Sequence, residues 1–350
     1  MSRRPRSRSS KSRGGLSPAR RLAIIVSSAA ATLAGVVLLF GVWAVWTYQG
    51  PGPAARSGEA TTVVLRHGAS LPEIAATLER EGVVGSSSVF IAAAQLTGGA
   101  RNLKAGEYEF PSRASVARVL TAIRGGKVVR HVITIPEGMT SQAVADLLAR
   151  SDILTGVAPA PPEGAVLPET YQVERGEDRA AVLKRMMDGR DQLLAQLWAQ
   201  RQPGLPFATP DEAVILASVV EKETGVASER PRVAAVFINR LRQGMRLESD
   251  PTIIYGLTGG KPLGRGIKQS ELTSSSPYNT YAIDGLPPTP IANPGREALA
   301  AVLDPPKTTE LFFVADGSGG HAFASTYEDH RKNVERWRAL EKSKASGAGP

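Results

Sequence analysis

The chain has 350 residues, of which 42% are hydrophobic and 21% charged, and its formal net charge is +9 at pH 7. Residues 1–21 hold eight Lys or Arg and no acidic residue, so the rest of the chain nets only +1 and gives no reason to expect nucleic-acid binding. The chain has no cysteine, which excludes disulfides and cysteine-ligated metal; this fits an exported protein without establishing export.

The N-terminal part of the chain predicts a membrane anchor preceded by a polar tail. Residues 1–21 are rich in Arg, Ser, Gly and Pro without periodicity, so we expect them to be a disordered basic tail. Residues 22–46 carry no charge, and this run is long enough for one transmembrane helix, which needs about 20 residues. Trp43 and Trp46 supply aromatic side chains for the far membrane interface. Residues 47–60 are predicted to be a linker.

The charges beside the apolar run predict its orientation. Because basic residues precede the run, the positive-inside rule places the N-terminus in the cytoplasm. Everything after residue 50 is then expected on the periplasmic or other extracytoplasmic side of the cell (inner) membrane. A cleaved signal peptide is the alternative. The run is longer than the usual apolar region of such a peptide and no small-x-small cleavage site clearly follows it, which favours a retained single-pass anchor.

Two similar segments follow the linker and indicate an internal duplication. Residues 64–86 align with residues 133–156. Each copy is predicted to be a short β-branched strand, a glycine turn, a capped helix and a small apolar strand. Residues 61–130 and 131–205 are therefore expected to form two related α+β subdomains. Units of this size resemble LysM modules, which bind N-acetylated glycans.

Residues 206–340 are predicted to form a different unit, organised around one helix over residues 209–224. Thr209 and Glu212 make the T-x-x-E pattern of a capping box, and Pro210 suits the first helical position. Helical periodicity places one set of small and apolar residues on a face that should point into a core. These residues are Ala213, Leu216, Ala217, Val220 and Thr224.

Two carboxylates lie in the last turn of this helix. Glu221 lies on one border of the apolar face and Glu223 on the opposite border. The negative end of the helix dipole and apolar neighbours both raise the pKa of a carboxyl at this position. A carboxyl that stays protonated near neutral pH is what a general acid needs. A solvated helix end is the alternative, and this stretch alone favours that interpretation.

The remainder of the C-terminal unit is predicted to be rich in loops. A second helix is predicted over residues 228–242. Residues 245–296 are expected to hold little regular structure, and a loop system of this length in a compact unit is typical of a functional surface. Residues 311–323 predict a β-hairpin around a Gly-Ser-Gly-Gly turn. The last helix is predicted from residue 326, and residues 341–350 are expected to be a disordered tail.

The reactive groups of the C-terminal unit are carboxylates and hydroxyls. The four histidines are scattered and no H-x-x-x-H pair occurs, so we expect neither a metal nor a cofactor. Amides can hold N-acetyl groups and a carboxylic acid can protonate a glycosidic oxygen, so this set suits a sugar site. Half-buried packing under a loop is the alternative for at least one tyrosine. The candidates are Glu221, Glu223, Asp250, Tyr255, Tyr278, Asn279, Thr280 and Tyr281.

Three long segments give the chain a family resemblance. Residues 216–256 read LASVVEKETGVASERPRVAAVFINRLRQGMRLESDPTIIYG, residues 275–295 read SSPYNTYAIDGLPPTPIANPG, and residues 312–330 read FFVADGSGGHAFASTYEDH. They resemble the YceG-like family of endolytic murein transglycosylases, and the resemblance extends over about residues 20–340. The family's E-G-x-L-F-P-x-T-Y segment is replaced here by GAVLPETYQV at residues 164–173.

The resemblance implies an α+β protein with a single N-terminal transmembrane helix, a duplicated LysM-like region and a C-terminal mixed α/β lytic transglycosylase domain. It also implies that peptidoglycan is cut without water inside nascent strands. One glutamate protonates the β-1,4 oxygen between N-acetylmuramic acid and N-acetylglucosamine. The same group then takes the proton of the muramyl 6-hydroxyl, which attacks C1 and leaves a 1,6-anhydro end. The family's catalytic glutamate falls on Glu221.

The resemblance also suggests roles for the other candidates. Glu223 and Asp250 are expected to support Glu221. The expected substrate contacts are Tyr255, Tyr278, Asn279, Thr280 and Tyr281. The expected partners are peptidoglycan glycan strands, the membrane and peptidoglycan synthases, because a cut close to the membrane would limit glycan elongation.

Two other functions remain open from the sequence. One is a muramidase-type hydrolase that uses Asp250 as second carboxylate and water as nucleophile. The other is a non-catalytic, membrane-tethered glycan-binding scaffold built on the repeats. Reducing-end sugars would select the hydrolase, and glycan binding without any cleavage would select the scaffold.

Overall fold

The computed structural model describes residues 18–345 and is a mixed α+β protein. The chain divides after Val129 into two compact units, called here unit 1 and unit 2. Most of the predicted basic tail and the last five residues of the predicted C-terminal tail lie outside the described residues. The prediction of an α+β fold with an N-terminal apolar helix is confirmed.

Unit 1 begins with the long apolar helix α1, Pro18–Gln49. Within it, Leu22–Gln49 contains an 18-residue window with a mean hydropathy of 2.4 and is long and apolar enough to cross a membrane, a test that an N-terminal signal sequence also passes. The helix extends the predicted span at both ends. It includes the last residues of the predicted disordered tail and the first residues of the predicted linker.

The rest of unit 1 packs three helices against a two-stranded sheet. Strands β1 and β2 are antiparallel, with Val63 opposite Tyr108. The core contains Leu65, Leu78 and Phe90, all buried. The elements are β1 Ala60–Leu65, α2 Leu71–Arg80, α3 Ser87–Leu96, a 3₁₀ turn Gly99–Arg101, β2 Gly106–Pro111 and α4 Val116–Gly125.

The segment predicted to be a free linker is held against unit 1. Gly52 N donates to Arg113 O at 3.2 Å, and Arg113 N donates to Pro53 O at 3.0 Å. Backbone groups that make such bonds are fixed in place, because an unpaired buried amide costs free energy. Residues 50–59 form no helix or strand. Their hydrogen bonds nevertheless make them part of unit 1.

The first half of unit 2 repeats a similar order of elements. Strands β3 and β4 pair antiparallel, with Ile133 opposite Tyr171. Tyr171 Oη donates to Leu167 O at 2.6 Å, four residues back, as Tyr108 Oη donates to Lys104 O at 2.8 Å in unit 1. The elements are β3 Arg130–Thr134, α5 Ser141–Arg150, β4 Thr170–Glu174 and α6 Arg179–Ala199.

The small apolar strand predicted after each capped helix is wrong in both copies. In unit 1, residues 81–85 form turns and bends in which Val83 N and Val84 N both donate to Leu78 O. In unit 2, the corresponding stretch contributes one isolated bridge, between Thr155 and Asp178. Both stretches bury apolar side chains, Val83 and Val84 in the first and Leu154 in the second, but neither stretch is a strand of the two-stranded sheets.

The predicted central helix is confirmed and lies in the core of unit 2. Helix α7 is Pro210–Glu223; Glu212 N donates to Thr209 Oγ1 at 3.2 Å, and Thr209 N donates back to Glu212 Oε2 at 2.9 Å. This reciprocal pair satisfies two of the free amides at the helix start. The predicted apolar face is buried, and so are Val214 and Val219 on other faces, so the helix is surrounded by protein.

The other elements of unit 2 surround α7. The predicted second helix, hairpin and last helix are confirmed. Residues 245–296 hold little regular structure, as expected, apart from two short helices, Asp250–Thr258 and Gln269–Leu272. The elements are a 3₁₀ turn Ala227–Glu229, α8 Arg230–Arg242, α9 Asp250–Thr258, α10 Gln269–Leu272, α11 Arg296–Leu303, β5 Phe312–Ala315, β6 His321–Ala324 and α12 Tyr327–Ala345.

Candidate active site

The last turn of α7 directs three consecutive polar side chains into three different environments. Successive residues of an α-helix are rotated by about 100°, so Glu221, Lys222 and Glu223 cannot share one face. Glu221 points into the protein, whereas Lys222 and Glu223 line two separate cavities. The two carboxylates at the helix end therefore differ in their access to a cavity.

Glu221 is held in a buried ion pair. Its Oε1 accepts a hydrogen bond from Arg230 Nη2 at 3.0 Å, and its Oε2 accepts one from Gly295 N at 2.9 Å. Arg230 Nη2 also donates to Glu137 Oε2 at 2.7 Å. The side chain of Glu221 is 4% exposed and that of Arg230 is 10% exposed. Burial raises the pKa of Glu221, while the Gly295 amide and the Arg230 charge oppose that rise.

This arrangement joins three parts of unit 2. Glu137 follows strand β3, Arg230 begins α8, and Gly295 immediately precedes α11. Breaking a buried pair by removing one partner is strongly destabilising, since a buried charge is left uncompensated. The contacts of Glu221 are therefore those of a side chain that fixes the end of α7 to its neighbours.

Lys222 borders a small cavity of about 220 Å³. Its ammonium donates to Gly138 O at 3.3 Å. Tyr255 lines the same cavity, and its ring lies 5.1 Å from that of Tyr278 at 58°. Tyr255 Oη donates to Glu163 Oε2 at 3.1 Å, and burial raises the pKa of this tyrosine. Two of the three tyrosines expected to contact substrate thus lie on the Lys222 side of the helix end.

Glu223 faces a larger cavity, of about 460 Å³, which we call the acidic cleft. Its Oε1 accepts a hydrogen bond from Ser249 Oγ. The residue is partly buried, and burial, with a smaller contribution from the charge of Asp250, raises the pKa of Glu223 to about 7. Glu223 therefore has the protonation behaviour expected of a general acid at neutral pH.

The acidic cleft combines carboxylates with aromatic rings. The acidic and basic side chains that line it are three carboxylates and one arginine, and Arg240 pairs with one of those carboxylates, Glu248. This leaves the lining with net negative charge. The lining residues are Glu223, Arg240, Leu247, Glu248, Asp250, Tyr281, Phe312, Phe313, Val314, Tyr327, His330 and Val334.

The residue that bonds to Glu223 is positioned by an unusual backbone turn. Glu248 has a φ of 54°, in the left-handed region that non-glycine residues seldom adopt. Glu248 N donates to Thr280 O at 3.1 Å, and its carboxylate pairs with Arg240. Ser249 follows as the N-cap of α9, and Ser249 N donates to Thr280 Oγ1 at 2.9 Å. These contacts offset the backbone strain and orient Ser249 toward Glu223.

Asp250 and Tyr281 lie together in the acidic cleft. Tyr281 Oη donates to Asp250 Oδ1 at 2.8 Å, and burial followed by this hydrogen bond raises the pKa of Tyr281. Asp250 is the first residue of α9 and is exposed. The structure therefore brings three of the predicted site residues into one cavity: Glu223, Asp250 and Tyr281.

Asn279 and Thr280 have a different role from the substrate contact that we expected, because both are fully buried. Asn279 Nδ2 donates to Leu272 O at 3.0 Å and to Ser274 O at 2.8 Å. Thr280 Oγ1 shares a hydrogen bond with Thr252 Oγ1 at 2.9 Å. Their polar groups are used inside the protein, so they hold the loop that carries Tyr281.

Several cleft residues were missed by the sequence analysis. Phe312, Tyr327 and His330 come from the hairpin and the last helix, to which we had assigned no functional role. Arg240 was missed because the sequence analysis gave only the bounds of its helix and no role to the helix's polar residues. The mixture of aromatic and polar residues in FFVADGSGGHAFASTYEDH, at residues 312–330, is a pattern that could have indicated a ligand-binding surface. The sequence alone does not show that this segment lies next to Glu223 in the fold.

Comparison with known proteins agrees with this architecture. A family model described as the YceG-like family matches residues 63–336. An endolytic murein transglycosylase of Streptococcus pneumoniae serotype 2 (strain D39) is 28% identical over 329 residues, which cover 80% of this chain and 59% of that protein. An endolytic murein transglycosylase of Bacillus subtilis (strain 168) is 40% identical over 122 residues, 35% of this chain and 33% of that protein.

A solved structure gives a similar result. The crystal structure of a yceG-like protein from Listeria monocytogenes has a TM-score of 0.50 and 27% identity, and the match covers 79% of this chain and 99% of that chain. The chain spans about three fifths of the length of the pneumococcal relative. Because the family model matches well over half of the sequence, the chain belongs to the YceG-like family.

Proposed function

We propose that the chain is an endolytic peptidoglycan lytic transglycosylase, a lyase that cuts the MurNAc-β-1,4-GlcNAc bond within nascent strands. The observation that carries this proposal is Glu223, a carboxyl with a pKa of about 7 at the acidic cleft. Relatives named endolytic murein transglycosylases support the substrate class. The cut would leave 1,6-anhydro-MurNAc ends and limit glycan elongation.

We assign the proton transfer to Glu223, although the family resemblance led us to expect Glu221. Two observations support this choice. Glu223 lines a cavity that is large enough for a sugar, whereas the carboxyl of Glu221 is 4% exposed and both its oxygens bond to protein donors. A general acid must reach the atom that it protonates, within about 3 Å or through one water. Glu221 then acts by fixing the helix end from which Glu223 projects.

The proposed reaction uses one carboxyl twice. Protonated Glu223 gives its proton to the glycosidic oxygen as the bond from C1 to that oxygen breaks. The resulting carboxylate then takes the proton of the muramyl 6-hydroxyl while the oxygen of that hydroxyl bonds to C1. This step closes the 1,6-anhydro ring and restores the protonated acid. The charge of Asp250 favours the protonated form of Glu223 at the start of the cycle.

A muramidase remains a second candidate because Asp250 lines the same cavity as Glu223. Two carboxyl groups on either side of a glycosidic bond are the usual equipment of a hydrolase. In that reaction Asp250 would activate a water molecule or stabilise C1, and the product would carry a reducing end. Tyr281 donates a hydrogen bond to Asp250 and would help to set its orientation.

We further propose that α1 is a retained single-pass anchor with its N-terminus in the cytoplasm, so that the rest of unit 1 and all of unit 2 lie on the extracytoplasmic side of the cell membrane. The span Leu22–Gln49 supports this, as does the basic segment before it. In unit 1, an open concavity of about 830 Å³ between β1 and α2 supports a LysM-like role in glycan binding. Peptidoglycan synthases are the partners expected for an enzyme that acts on strands next to the membrane.

The test is mass spectrometry of the products formed from nascent, uncrosslinked peptidoglycan. We expect internal cuts with 1,6-anhydromuramic ends from the wild-type chain and no products from Glu223→Gln. Reducing ends, lost in Asp250→Asn, would select the muramidase. Binding to the strands without products would select the scaffold and overturn the proposal. The intact mass of the protein isolated from cells, compared with the mass calculated for the full sequence, distinguishes a retained anchor from a cleaved leader.

A further inference from the structure

Part of the acidic cleft is lined by an aromatic cluster with one exposed member. Phe312 comes from β5, and Tyr327 and His330 come from the first turn of α12. The rings of Phe312 and His330 are stacked with centroids 5.1 Å apart at 21°, and Phe312 lies 6.0 Å from Tyr327 at 65°. We call these three residues the aromatic wall.

Tyr327 is the most exposed residue of the aromatic wall. The residue is 69% exposed and lines the cleft, while Phe312 and His330 are partly buried beside it. An exposed apolar surface beside a concavity with polar groups is typical of a ligand site. The ring of Tyr327 contacts Phe312 and His330 on one side, with centroids 6.0 Å and 6.4 Å away, which leaves the rest of the residue open to a ligand.

The charges around the aromatic wall favour an uncharged ligand. Arg240 is paired with Glu248, so Asp250 and the ionised fraction of Glu223, whose pKa is about 7, leave the cleft with net negative charge. An anionic group would meet net repulsion here. Burial and the charge of Arg240 lower the pKa of His330, so the imidazole is neutral at pH 7 and offers a ring face rather than a cation.

We propose that the aromatic wall is a sugar-binding subsite in which Tyr327 stacks on the face of a neutral N-acetylhexosamine ring. The cleft volume of about 460 Å³ suits a ligand of this size, since small-molecule sites span roughly 300–1,000 Å³. The subsite holds one sugar of the strand in the same cavity as Glu223. This inference rests on the proposed function for its substrate class, and it adds a binding residue to that site.

The first experiment measures binding without turnover. The full-length chain carrying Glu223→Gln, in detergent, is titrated by calorimetry with the uncharged β-1,4-linked hexasaccharide of N-acetylglucosamine. Tyr327→Ala is expected to weaken binding about tenfold, because truncating an aromatic anchor commonly has an effect of this size. Tyr327→Phe keeps the ring face and is expected to bind within about twofold of the parent. Arg336→Ala, exposed on the same helix, is the matched control and should not change affinity.

The second experiment uses the otherwise wild-type chain and separates the inference from the proposed function. With nascent strands, Tyr327→Ala is expected to lower kcat/KM about tenfold through KM, whereas Tyr327→Phe stays near wild type. One outcome is that the wild-type chain makes no cuts, while Tyr327→Ala still weakens binding of the hexasaccharide. The proposed function then fails and the subsite stands. If the wild-type chain cuts and Tyr327→Ala matches it in both affinity and KM, the subsite is overturned.

Discussion

Removing Arg230 should destabilise unit 2 far more than removing an exposed arginine of the same helix. Arg230→Met leaves the Glu221 carboxylate, 4% exposed, with Gly295 N as its remaining donor among those described. Loss of one partner from a buried pair costs about 3–5 kcal/mol. Arg232→Met is the control, because Arg232 is 50% exposed in its pair with Glu310, and such surface pairs contribute about 0–1 kcal/mol.

The assay can be restricted to unit 2. In a fragment that begins at residue 51, the two remaining tryptophans are Trp198 and Trp337, both in unit 2, so tryptophan fluorescence during urea unfolding reports on that unit. The double variant Glu221→Gln, Arg230→Met should recover part of the loss, because no charge is left at position 221 and the other partner of Arg230, Glu137, is 39% exposed to solvent. Equal destabilisation by Arg230→Met and Arg232→Met would refute the view that Glu221 is a structural ion-pair partner.

Three further predictions concern the cleft acid and the framework around it. The kcat/KM should fall as pH rises through about 7, because the raised pKa of Glu223 keeps the acid form below that pH; a falling limb centred below pH 5.5 would contradict the assignment. Thr209→Ala removes the acceptor for Glu212 N and should lower the free energy of unfolding by about 1 kcal/mol in urea titration. Gly295→Ala would make a Cβ clash with the Glu137 carboxylate, which Arg230 holds in place, so it should cost about 1–3 kcal/mol. Gly266→Ala, with open space around it, should have little effect, and equal effects would count against the packing described.

The elements predicted correctly are those that have local signals. The T-x-x-E pattern and Pro210 determine the start of α7 through contacts that span three residues. The Gly-Ser-Gly-Gly turn likewise specifies the hairpin β5–β6. Helix α9 also has a local signal, Pro251 in its first turn after Ser249, but we gave more weight to the surrounding turn residues.

The role of each carboxylate at the end of α7 could not be predicted in the same way. Helical phase correctly put Glu221 and Glu223 on opposite borders of the apolar face. It could not reveal that Arg230 and the Gly295 amide cover the first, or that Ser249 and Tyr281 surround the second. These neighbours are distant in sequence and meet only in the folded chain, so the pKa of each carboxyl depends on tertiary contacts.

The most direct test of the central claim is to compare single-turnover cleavage of nascent strands by Glu223→Gln and Glu221→Gln. The temperature should be one at which fluorescence shows both variants to be fully folded. We predict that Glu223→Gln abolishes cleavage, whereas Glu221→Gln, once folded, keeps measurable activity and gives products with the same 1,6-anhydro ends. If instead Glu223→Gln cuts and folded Glu221→Gln does not, the proton transfer belongs to Glu221 and the assignment to Glu223 is wrong.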